Sequence, residues 1–189
     1  LDCKSFKMTI TDTSQYHSKD IMEFVTVGFE FCKRIENVNS TKRKDFIDSM
    51  LKILPLLYVK SQIVLNFQTD EDFYLEHIVT EADYNAIQNS IADTMSTYDD
   101  FLDVFQEDMK YSDEPIHCTV SECLADIYQE LADFLYVFKQ DNEESTYAAL
   151  CEISDSFAER WGQILVNVMR PLHETKYNVH SDIYQEVND

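Results

Sequence analysis

The chain has 189 residues, 44% of them hydrophobic, and 36 acidic against 15 basic side chains give a formal net charge of −21. That length and apolar fraction suit one domain with a sizeable core, and the composition excludes collagen-like, low-complexity and disulfide-framework classes. Two glycines cannot furnish a phosphate-cradling loop or a dinucleotide fingerprint, and a strongly negative field repels nucleic-acid phosphates.

The residues up to Ser18 alternate polar and apolar, without the apolar core of a secretory signal, and residues 1–17 are expected to be an irregular extension. A first helix is expected over about 18–37, with Ile21, Phe24, Val25, Gly28, Cys32 and Ile35 on one stripe. Gly28 in that stripe predicts a close helix approach. Ser40 or Thr41 should cap a second helix carrying Phe46, Ile47, Met50, Leu51, Ile53 and Leu54, which Pro55 should bend or interrupt. Residues 56–66 are apolar nearly all round, which predicts the most buried segment of the protein. The longest apolar run, Ile53 to Phe67, carries Pro55 and Lys60 and is too short to span a bilayer.

An acidic connection over 68–78 leads to Thr80-Glu81-Ala82-Asp83, a helix start with a capping hydroxyl and acids at the positive end of the dipole. Tyr84, Ile87 and Ile91 continue that helix to about Met95. A shorter helix is expected over about 99–109, then a loop over 112–117 containing Pro115. Thr119-Val120-Ser121-Glu122 reads as a capping box, and Val120, Leu124, Ile127, Leu131, Phe134 and Phe138 form a seam spaced like a coiled coil. The last helix, about 145–174, carries Leu150, Phe157, Trp161, Ile164, Val168 and Leu172; Trp161 is its packing anchor, Pro171 should bend its last turn, and the tail over 177–189 should be irregular. These elements predict an all-α, single-domain bundle of six or seven helices over residues 1–189, with short loops and no significant sheet.

Charge is unevenly spread. Residues 1–60 hold ten Lys/Arg and eight Asp/Glu, whereas residues 61–189 hold five and 28. Such polarity suits docking to a protein with a basic surface, or self-association. Five cysteines at irregular spacing point to reduced thiols and a cytoplasmic protein, with Cys32 and Cys151 inside apolar stripes. His117, Cys118 and Cys123 fall short of the four spaced ligands that a closed zinc site needs. The five histidines are scattered without a nucleophile signature.

Glu130-Leu131-Ala132-Asp133, with Asp99-Asp100-Phe101-Leu102-Asp103 upstream, resembles the paired acidic motifs of the all-α nucleoside triphosphate pyrophosphohydrolases. The resemblance covers about a fifth of the chain and implies magnesium ligation by Asp99, Asp100, Asp103, Glu130 and Asp133. All three upstream acids are Asp where that family has Glu. At 100° per residue, Glu122, Asp126, Glu130 and Asp133 share one stripe pointing away from the apolar seam, which predicts a solvated face.

A fuller resemblance rests on Leu54-Pro55-Leu56-Leu57-Tyr58-Val59-Lys60, Val79-Thr80-Glu81-Ala82-Asp83-Tyr84, Asp126-Ile127-Tyr128-Gln129-Glu130-Leu131-Ala132-Asp133-Phe134 and Trp161-Gly162-Gln163-Ile164-Leu165. Together these are similar to a family of small, acidic, all-helical bacterial proteins classed as a domain of unknown function. That resemblance implies a helical fold and no activity, cofactor or catalytic residue. Members sometimes encoded beside a 3′–5′ exonuclease make a nuclease one partner to consider. The sequence thus leads to a non-catalytic protein-interaction module without catalytic, cofactor or metal residues and without nucleic-acid or membrane contacts. The magnesium-dependent pyrophosphohydrolase is the alternative.

Overall fold

Helical periodicity becomes five continuous rods in the computed structural model, which describes residues 15–71, 73–103 and 116–177. Helix α1 spans Lys19–Glu36; Ser18 caps it by accepting a bond from the Ile21 amide. Its buried side carries Ile21, Phe24, Phe31, Cys32 and Ile35, and Gly28 brings its backbone close to Leu131. Helix α2 spans Arg43–Val64, α3 Glu81–Met95 and α4 Val120–Lys139. Helices α5 (Glu143–Ser156) and α6 (Gly162–Tyr177) form one rod, joined by a π turn over Phe157–Trp161.

Four helices close a ring: α1 packs on α2, α2 on α6, α6 on α4 and α4 on α1, while α3 and α5 also pack against α4. Helix α4 is therefore central, and its seam residues Val120, Leu124, Ile127, Leu131 and Phe134 are all buried. Trp161 is fully enclosed, with Phe157 set edge-on at 4.5 Å. The thiols of Cys32 and Cys151 are buried as well, and burial pushes both up from the ordinary cysteine value.

Several expectations are corrected. Pro55 does not interrupt α2. Its missing donor costs about 3 kcal/mol in a helix interior, whereas burying Ile53, Leu54 and Leu57 around it stabilises by roughly 1.5–3 kcal/mol each. Packing wins. Helix α6, with Pro171 inside it, ends at Tyr177, three residues beyond the expected end. Neither Ser40 nor Thr41 caps α2; Lys42 stands at the cap without a side-chain bond, and the Thr41 hydroxyl donates to the Asn37 carbonyl. Residues 56–66 are not the most buried segment, because α2 lies at the rim of the ring and turns Leu56, Val59 and Ile63 outward.

The helix expected from residue 99 is replaced by strand β1 (Asp100–Asp103), and the loop before Thr119 by β2 (Ile116–Thr119). The two pair antiparallel, Asp100 opposite Thr119 and Asp103 opposite Ile116. Asp99 explains the change. Its buried carboxylate accepts from the Ser121 amide and hydroxyl, and its carbonyl accepts from the Val120 amide. These bonds fix residue 99 at the start of α4, so the chain beyond it runs alongside 116–119 instead of coiling. Residues 1–14, 104–115 and 178–189, which include most of the extension, of that helix and of the tail, lie outside the described residues.

Candidate functional site

Capping chemistry sets up the site. The Thr80 hydroxyl accepts from the Asp83 amide while the Asp83 carboxylate accepts from the Thr80 amide, a reciprocal box that starts α3. The Thr80 bonds hold the Asp83 carboxyl below the usual carboxylate range. The extended stretch 73–80 that feeds this box crosses the acidic side of α4.

That side is not a solvated face. Asp133 is buried; its Oδ1 accepts from the backbone amides of Ile78 and Val79 at 2.7 and 3.0 Å, and its Oδ2 lies 3.2 Å from His77 Nδ1. Glu130 accepts from the Ser156 hydroxyl at 2.6 Å and is ion-paired with Arg160, with only 14% of its side chain exposed. Asp126 accepts from the Tyr84 hydroxyl at 2.7 Å, and burial together with that carboxylate pushes the Tyr84 hydroxyl up. The seam faces the ring of α1 and α6, but α4 is also flanked by α3, 73–80 and α5. Polar groups from those elements satisfy Asp126, Glu130 and Asp133, while Glu122 at the start of α4 is exposed as expected.

Between 73–80, α4, α5 and the π turn lies a cleft of about 260 Å³. His77, Glu130, Asp133, Glu152 and Arg160 line it, together with Glu76. His77 spans it, with Nε2 at 3.4 Å from Glu152 Oε1. Four carboxylates thus share the cleft with one arginine and one histidine. Glu130 and Asp133 are pinned by fixed donors, while Glu152 stays half-exposed at the rim.

The five acids of the magnesium reading are divided. Glu130 and Asp133 meet in the cleft, whereas Asp99 sits against Ser121 and Asp100 and Asp103 belong to β1. Ser121 precedes Asp133 by twelve residues of α4, about 18 Å along the axis at 1.5 Å per residue. Among the described residues no three His, Cys, Asp or Glu side chains are grouped to hold a metal ion. His117 and Cys118 lie in β2 and Cys123 in α4.

The sequence reading missed His77, Glu152, Ser156 and Arg160. The last three recur every four residues, a polar stripe along the rod beside the Leu150 stripe, and that was a usable signal. His77 had none, because the stretch around it lacks periodicity. Also among the described residues, no helix is long and apolar enough to cross a membrane.

The crystal structure of protein BF1032 from Bacteroides fragilis is similar over 86% of this chain and 95% of its own, at 37% identity and a TM-score of 0.75. No curated protein matches the chain. Residues 15–178 match the family described as a domain of unknown function, DUF5063. With most of the described fold inside that span and a solved relative sharing its architecture, the chain belongs to the DUF5063 family.

Proposed function

We propose that the protein is a non-catalytic interaction module whose cleft receives a lysine or arginine side chain from a protein partner with a basic surface. The carrying observation is the lining: Glu76, Glu130, Asp133 and Glu152 against Arg160 and His77. Glu130 and Asp133 direct their lone pairs to fixed donors, so they shape the field, while Glu152 at the rim accepts the incoming cation. A guanidinium donates in a planar fork and would bind a carboxylate there in bidentate fashion. The negative charge of residues 61–189 steers such a partner toward this side.

Capture of a specific partner from lysate at low and high salt tests the reading. Binding should weaken at high salt and fall roughly tenfold or more in a Glu76→Gln, Glu152→Gln variant, as for loss of a central charged contact. Capture indifferent to both would refute it. Magnesium-dependent pyrophosphate release from nucleoside triphosphates, lost in a Glu130→Ala, Asp133→Ala variant, would replace it with the enzymatic reading.

A further inference from the structure

The outer face of α2 is apolar where a bundle helix is ordinarily polar. Leu56, Val59 and Ile63 are 46%, 52% and 50% exposed and fall within about 60° of one another at 100° per residue. Helix α2 lies between α1 and α6 in the ring, so this stripe runs along an outer corner of the bundle flanked by those two helices.

Charge decides what such a face can meet. Helices α1 and α2 hold seven Lys/Arg and six Asp/Glu, and α6 holds two and one. Together these three helices are nearly balanced in a chain of net charge −21, and Lys60 pairs with Glu23 and Lys176 with Asp48, leaving little net field. A strongly acidic or basic partner finds no complement there, but two copies of this chain can approach through this face without the repulsion that the acidic α4 and α5 side presents.

From this we propose that the outer face of α2, flanked by α1 and α6, is self-complementary and that two copies of the chain pair through it about a two-fold axis near Val59. Antiparallel α2 helices centred there set Leu56 against Ile63 of the other copy and leave Lys52 opposite the end of that helix, so no like charges are opposed.

Sedimentation velocity on the full chain, across concentration and at low and high salt, provides the test. We expect a dimer that tightens as salt screens the repulsion between two acidic copies. Val59→Asp should weaken it roughly tenfold or more, with unchanged circular dichroism, while Tyr74→Ser, fully exposed on the 73–80 stretch, should leave it intact. If Val59→Asp misfolds, the milder Leu56→Gln, Ile63→Gln variant replaces it. A monomer at high salt over the accessible concentration range would overturn the proposal, as would a dimer indifferent to both α2 variants, or anionic vesicles bound by a chain that stays monomeric.

Discussion

The two glycines respond oppositely to the same substitution. A methyl group on Gly162 would stand 2.5 Å from the Phe157 carbonyl oxygen and 3.0 Å from the Phe157 ring. Backbone cannot yield that distance, so Gly162→Ala should destabilise by about 1–3 kcal/mol in urea denaturation. On Gly28 the nearest atom is a Leu131 methyl at 3.4 Å, ordinary contact with a side chain that can shift. There alanine should stabilise by up to about 1 kcal/mol, because helix propensity dominates. The charged residues titrate predictably too. Lys60, hydrogen-bonded to Glu23, holds that carboxyl below its ordinary value of about 4.3. A depressed folded-state value gives stability that is complete above the unfolded value and disappears as pH falls through the folded one. The stability difference between the native chain and Glu23→Gln should therefore be full at neutral pH and vanish in acid. A difference that grew on acidification would contradict the pairing.

At the scale of elements, the stretches 66–71 and 73–80 have little regular structure and hang on side chains. Asp133 takes the Ile78 and Val79 amides, the Tyr147 hydroxyl donates to the Gln68 carbonyl, and the Phe67 amide reaches the Ser154 hydroxyl. Asp133→Ala should cost about 1–3 kcal/mol and remove hydrogen-exchange protection from the Ile78 and Val79 amides while the α4 core amides stay protected. Loss of protection across α4 as well would mean that Asp133 supports the bundle and not the stretch. This contrast also marks what could be read in advance. Thr80 and Thr119 as caps, and the Val120-to-Phe134 seam, were legible because each depends on neighbours within a turn or two. The inward turn of Asp133 was not, since its partners lie 54 and 55 residues away in a segment without periodicity. The same holds for β1, whose Asp99 anchor is Ser121, and for the rim position of α2, which only the ring arrangement reveals.

For the whole molecule, charge and packing pull apart. A chain of −21 repels itself when folded, and the described ion pairs offset only part of that. Moderate salt should therefore raise the thermal midpoint by a few degrees, about 2–4 °C for each kcal/mol gained at this size; a midpoint that fell with salt would show that the ion pairs outweigh the repulsion.

The π turn over Phe157–Trp161 carries one residue more than the α-helical repeat requires. Regular α geometry with every residue kept would narrow that turn and straighten the rod. It would also spin everything downstream by about 100°, swinging Leu165, Val168 and Leu172 off the centre of the bundle and Lys176 away from Asp48. The phase of the final helix is thus written in one surplus amino acid, and a straighter helix would make a poorer protein.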